Sequence, residues 1–236
     1  TPFDLEAVDL LEDLGVGGYK VASGDITHEP LVRKVAATGK PIIMSTGACD
    51  VVDVSRAVRW VWNVPLTLLA CTLSYPTVVG DANLGRIRYL RRMFPSATVG
   101  YSDHTLRVDT AMAAAALGAE VLEKHCTLSP GGPVPDDRMA LRPSQLRQYV
   151  AYANLGAAMI GTGGFAPVEA EAAARVGARR SGYAARDILA GETIVADDVV
   201  WLRPADGRGF HPYEAKKIVG HAAKVDGGAG ELVRRE

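Results

Sequence analysis

The sequence predicts an α/β protein: consecutive strand–helix units over residues 1–160, then a small, mostly-β domain over residues 179–236. Three observations carry this. Short apolar, β-branched runs alternate with stretches of helical periodicity, the pattern of a parallel sheet with helices on its faces. The runs begin near residues 19, 41, 66, 97 and 119, at intervals of 22, 25, 31 and 22, which suits successive βα units. After residue 160 the texture changes. Gly161-Thr-Gly-Gly-Phe-Ala-Pro-Val168 is a turn-rich break that opens a linker over residues 161–178.

The elements follow in order. Residues 3–14 read as an amphipathic helix. Tyr19-Lys-Val-Ala-Ser23 reads as a buried strand, with a helix over 30–37 behind it. Pro41-Ile-Ile-Met-Ser-Thr46 is the next strand, followed by a helix over 51–62. Leu66-Thr-Leu-Leu-Ala-Cys-Thr72 is the third, followed by a helix over 83–93. Strands over 97–101 and 119–124 flank an Ala-rich helix over 108–117, and a long helix spans 143–159. An Ala/Glu/Arg stretch over 168–179 reads as a connecting helix. Short strands are then expected in Asp187-Ile-Leu-Ala-Gly-Glu-Thr-Ile194, Val199-Val-Trp-Leu-Arg-Pro204 and Gly227-Gly-Ala-Gly-Glu-Leu-Val233.

A net charge of -1 gives no reason to expect a nucleic acid or an anionic membrane as partner, and no apolar run reaches a transmembrane length. Cys49, Cys71 and Cys126 are odd in number and scattered, which argues against a disulfide framework and for a cytoplasmic setting. Thr1 at the head of the chain suggests a fragment.

Parallel neighbouring strands present their carboxyl ends at one edge, where α/β proteins do chemistry. Polar clusters fall there: Lys20, Ser23 and Asp25; Ser45-Thr-Gly47; Thr72, Ser74 and Tyr75; Ser102-Asp-His104; Glu123-Lys-His125. A serine at a strand end commonly caps the next helix. Several hydroxyls beside a lysine instead suit a phosphate group. A single histidine at a strand end is ordinarily structural. His104 and His125, ending adjacent strands, instead suit a divalent metal able to polarise a carbonyl or activate water. His28, His211 and His221 read as surface or turn residues. Cys126 reads as a small packing side chain rather than a third ligand.

At these residues the chain resembles the N-acetylneuraminate (sialic acid) synthase family. The resemblance lies in Tyr19-Lys-Val-Ala-Ser-Gly-Asp25, Gly39-Lys-Pro-Ile-Ile-Met-Ser-Thr-Gly47, Cys71-Thr-Leu-Ser-Tyr-Pro76, Gly100-Tyr-Ser-Asp-His-Thr105, Glu123-Lys-His125, Pro135-Asp136 and Leu202-Arg-Pro204. It implies strands 4–8 of a (β/α)8 TIM barrel, the front of the barrel being absent, and a terminal antifreeze-like (SAF) domain. It also implies condensation of phosphoenolpyruvate with an N-acyl hexosamine, such as N-acetylmannosamine, with release of phosphate. By the same resemblance Lys20, His104 and His125 are catalytic, and the two histidines hold manganese, magnesium or cobalt. Phosphoenolpyruvate would meet Lys20, Thr1, Ser23, Ser45 and Ser102. The amino sugar would meet Asp25, Tyr75 and Asp136, and Arg203 would arrive from the other chain of a domain-swapped homodimer. The chain departs from the family at Leu73, Asp25 and Cys126, where a polar residue, a glutamate and a phenylalanine are frequent. With five strands instead of eight, the chain alone is expected to be catalytically incomplete. The alternatives are a non-catalytic truncated paralogue or sugar-binding relic, and a related phosphoenolpyruvate aldol-type synthase making shorter sugar acids.

Overall fold

The computed structural model describes residues 1–129 and 131–235. They form two compact units, one of residues 1–163 and one from Gly164 onward.

The first unit is built on five parallel strands: β1 (Tyr19–Val21), β2 (Ile42–Ser45), β3 (Leu66–Cys71), β4 (Thr98–Asp103) and β5 (Val121–Lys124). They pair in chain order, as a half-barrel. Helices α1 (Leu5–Asp13), α2 (Glu29–Ala37), α3 (Val51–Trp60), α4 (Gly85–Met93), α5 (Thr110–Ala116) and α6 (Pro143–Ile160) alternate with or follow them. Local chemistry sets several helix starts. Asp4 accepts the Ala7 N–H at 2.7 Å to cap α1. Asp50 caps α3 by accepting the Val52 and Asp53 N–H groups. Prolines occupy the first turns of α2 and α6, where no intrahelical N–H is needed. A Cβ at Gly156 would lie 2.3 Å from the Met112 carbonyl oxygen, so the glycine lets α6 cross close to α5.

Alternation along the strands divides the sheet into two faces. Tyr19, Val21, Ile42, Met44, Leu68, Ala70, Val99 and Tyr101 are buried in the main hydrophobic core with Val32, Val35, Val54, Ala57, Ile87 and Leu90 of the helices. The other row carries Lys20, Ser45, Cys71, Ser102 and Glu123. Gly100 lies in that row, where a Cβ would meet the Val121 carbonyl oxygen at 2.3 Å. The apolar run 97–101 understates β4, since Ser102 and Asp103 stay in the ladder, opposite Glu123 and Lys124.

The second unit departs more from expectation. The stretch 168–179 is a short 3-10 turn, Glu169–Glu171, and then α7 (Ala172–Gly177), not one helix. The Val176 carbonyl accepts the Ala205 N–H at 2.9 Å, which ties α7 to the small unit. An antiparallel pair follows, β6 (Ser181–Ala184) with β7 (Val199–Leu202), of which β6 was not among the expected strands. The stretches 187–194 and 227–233 form no ladder with each other. They contribute isolated bridges, Ile188 with Gly227, Thr193 with Ala222 and Tyr183 with Leu232. Glycines at positive φ, Gly191 and Gly230, turn the chain before a strand can lengthen. Ala184, Ile188, Ile194, Val199 and Ile218 form this unit's own small core.

Candidate active site

A cavity of about 410 Å³ opens at the carboxyl ends of β1–β5. Lys20, Ser23, Ser45 and Ser102 line it, with Thr1 and Tyr75. His104, His125 and Asp136 complete the sequence-predicted members of its wall. Asp25 ends the 3-10 turn after β1 and stands outside that wall. Arg203 is exposed in the second unit. Leu73 is 42% exposed and is not a wall residue either.

The polar inner row explains this convergence. Its members alternate with core residues, so each strand delivers one polar side chain to the open end of the sheet. Glu123, not singled out from the sequence, is central to it. Its carboxylate accepts the Ser102 hydroxyl at 2.6 Å and lies 3.5 Å from the Lys20 ammonium. The available signal was parity, because Glu123 stands two residues before His125 just as Ser102 stands two before His104. Lys20 also donates to the Val21 carbonyl at 3.0 Å. Ser23 donates to Cys71 Sγ at 3.7 Å and accepts the Gly47 N–H at 2.9 Å. The Ser45 hydroxyl is buried and, among the described residues, has no hydrogen-bond partner, although it borders the cavity.

The two imidazoles come together as the strand-end reading expects, with ring centroids 5.4 Å apart. Tyr75 lies 4.2 Å from the His104 ring and 6.0 Å from the His125 ring, edge-on to the latter. His104 is buried, and its Nδ1 lies 2.9 Å from the Thr72 carbonyl oxygen. A carbonyl only accepts, so Nδ1 carries the hydrogen and Nε2 keeps the lone pair. His125 Nδ1 lies 3.4 Å from Asp136 Oδ2. Cys71 Sγ is 3.8 Å from His104 Nδ1. Burial by itself would raise the Cys71 thiol, yet His104, Ser23 and Ser102 together bring it below its ordinary value. Burial likewise opposes charge on His104, and the Cys71 sulfur and Thr72 carbonyl outweigh it, raising its pKa. Burial raises the Tyr75 phenol, with Cys71, Asp136 and Glu123 adding to the shift.

Among the described residues, no group of three or more His, Cys, Asp or Glu side chains is placed to hold a metal ion. His104 and His125 fit two positions of an ion's shell, each with one nitrogen engaged by an oxygen and the other available. Cys126 is exposed and is not part of the cavity wall. Two charged members of the strand-end clusters do not bring their charges to the site. Lys124 borders the cavity, but its ammonium turns to Asp103, 3.2 Å away on the helix side of the sheet.

A family model described as the NeuB family matches residues 1–164, and one described as the SAF domain matches residues 179–236. The chain is 35% identical to the N,N'-diacetyllegionaminic acid synthase of Legionella pneumophila, over 98% of this chain and 66% of that protein. It is 31% identical to the N-acetylneuraminate-9-phosphate synthase of Mus musculus, over 94% of this chain and 62% of that protein. A crystal structure from Chromobacterium violaceum, of a putative spore coat polysaccharide biosynthesis protein E, superposes with a TM-score of 0.83 at 33% identity, covering 99% of this chain and 70% of that one. The chain thus spans about two thirds of the length of these curated relatives. No helix among the described residues is long and apolar enough to cross a membrane.

Proposed function

The chain belongs to the NeuB family and carries a SAF domain, and we propose that the protein it represents is a nonulosonic acid synthase, condensing phosphoenolpyruvate with an N-acyl hexosamine. The methylene carbon of phosphoenolpyruvate joins the sugar's aldehyde carbon, whose oxygen takes up a proton, water adds at the carbon bearing phosphate, and phosphate leaves by C–O cleavage. The product is a 2-keto-3-deoxy sugar acid.

The observation that carries this reading is the orphan Ser45 hydroxyl, buried at the cavity beside Ser23, Ser102 and the Lys20 ammonium. A buried hydroxyl without a partner is costly. A phosphate oxygen would satisfy it, and Lys20 would supply charge once freed from Glu123. Thr1 borders the same space. On the other side, Tyr75 and Asp136 would contact the amino sugar, and Asp25 would do so only with a change in its turn. His104 and His125 would hold a divalent ion, manganese, magnesium or cobalt. Such an ion, when bound, supplies Lewis acidity to the sugar aldehyde. The cavity wall holds no arginine among the described residues. In a domain-swapped homodimer, the partner's Arg203 would supply that charge at the N-acyl end.

The test uses the full-length protein in a phosphate-release assay with phosphoenolpyruvate and a panel of N-acyl hexosamines, N-acetylmannosamine included. Release that depends on one of these sugars is expected. Arg203→Ala should raise the sugar's KM more than that of phosphoenolpyruvate. No sugar-dependent release across the panel sinks the synthase reading in favour of a sugar-binding relic.

A further inference from the structure

Two charged residues precede the histidines in the chain, Asp103 before His104 and Lys124 before His125, and neither takes part in the proposed reaction. They are register partners across β4 and β5. Their side chains are 0% and 2% exposed, with Lys124 Nζ 3.2 Å from Asp103 Oδ2. Asp103 Oδ1 accepts the Thr105 N–H at 2.8 Å, and Oδ2 accepts the Thr110 hydroxyl of α5 at 2.6 Å. Lys124 donates to the Thr105 carbonyl, and its ammonium lies 5.7 Å from the Tyr149 ring of α6. Thr105 is fully buried. It is gripped at both its N–H and its C=O, one residue beyond His104. The peptide between His104 and Thr105 is held on its other side as well, since the His104 carbonyl accepts the Thr77 N–H at 2.8 Å.

A well-packed apolar pair could join the two strands as well as a buried ion pair does. It could not accept the Thr105 N–H or donate to its carbonyl. The charges therefore do something specific: they fasten the turn carrying His104 to the strand end carrying His125.

We propose that Asp103 and Lys124 are positioning residues, which lock the 103–105 turn onto β5 and so fix the separation and tilt of the two imidazoles for a divalent ion. This rests on the reading of His104 and His125 as ligands. Outer partners of metal ligands commonly set metal affinity by 10–100-fold.

The test compares the full-length protein with Lys124→Met and with the double variant Asp103→Asn/Lys124→Met, which removes both buried charges and keeps the fold accessible if the single variant unfolds. Mn2+ alone is titrated by electron paramagnetic resonance, phosphoenolpyruvate binding without metal by calorimetry, and melting temperature in parallel. In the folded variants, Mn2+ binding should weaken 10–100-fold while phosphoenolpyruvate binding changes less than about threefold; a merely structural role would weaken both together. Wild-type Mn2+ affinity in the folded double variant overturns the proposal. If the wild type takes up no Mn2+, the metal reading falls by itself, and the crystal structure of the double variant decides. Imidazoles displaced from their 5.4 Å separation uphold the positioning role, and unchanged rings overturn it.

Discussion

The two faces of the parallel sheet each carry a lysine–carboxylate pair, and the pairs differ in everything but their chemistry. Lys20 and Glu123 stand 3.5 Å apart on the cavity side, with side chains 19% and 38% exposed. Lys124 and Asp103 stand 3.2 Å apart on the helix side, with side chains 2% and 0% exposed. Water screens the first pair, so its members can exchange each other for a ligand at small cost. The second is desolvated and tied to Thr105 and Thr110, so neither member can be lost without stranding the other. Glu123 and Lys124 are neighbours in the chain. One step of strand parity decides which charge faces the cavity and which turns to the helix side.

The sharpest way to break that comparison is at the edge where the faces meet. In the full-length protein, His104→Ala and His125→Ala should each reduce sugar-dependent phosphate release to background while the protein still folds. Chelation of the wild type should do the same. Undiminished turnover after chelation would overturn the metal role proposed for the cavity side.

Next comes the contrast between the lysines. Lys124→Met strands a buried carboxylate and should cost about 3–5 kcal/mol in chemical denaturation. Lys20→Met should cost under about 1 kcal/mol, because its pair is partly solvated. Its effect should fall on phosphoenolpyruvate, whose KM should rise about 10–100-fold with the loss of a charged hydrogen bond. Equal destabilisation by the two substitutions would erase the distinction between the faces.

Much of the cavity side was legible in the sequence because position at a strand end suffices there. Lys20, Ser45, Ser102, His104 and His125 lie in or just beyond β1, β2, β4 and β5 toward their carboxyl ends, and all five line one cavity. Glu123, Asp103 and Lys124 were visible only as members of polar clusters. Sorting them requires the strand limits, and hydropathy alone ended β4 at Tyr101, two residues short of Asp103. Asp25 belongs to the same strand-end cluster as Lys20 and Ser23, and the 3-10 turn Ser23–Asp25, which hydropathy does not foreshadow, sets it off the cavity wall. The small unit was least legible. Isolated bridges such as Ile188 with Gly227 depend on distant turns and leave no period in the sequence.

A third ion cluster, in that small unit, extends the comparison to a case between the two faces. Glu214 has a side chain 6% exposed, while its partners Lys217 and Arg235 are 64% and 38% exposed. The His211 N–H, then Lys217 and Arg235, lower its carboxyl from the ordinary 4.5 to about 2. A depressed carboxyl favours the folded state wherever it is ionised, so its contribution is complete above about pH 4.5 and is lost as pH falls toward about 2. Glu214→Gln should therefore lower the melting temperature at neutral pH by a few degrees. It should also flatten the fall in stability between those two pH values. Its cations keep their water, so the loss should be smaller than for Lys124→Met. An acid transition of unchanged steepness in Glu214→Gln would mean that the half-solvated cluster behaves like the partly solvated Lys20–Glu123 pair, and that burial of one partner alone does not make an ion pair structural.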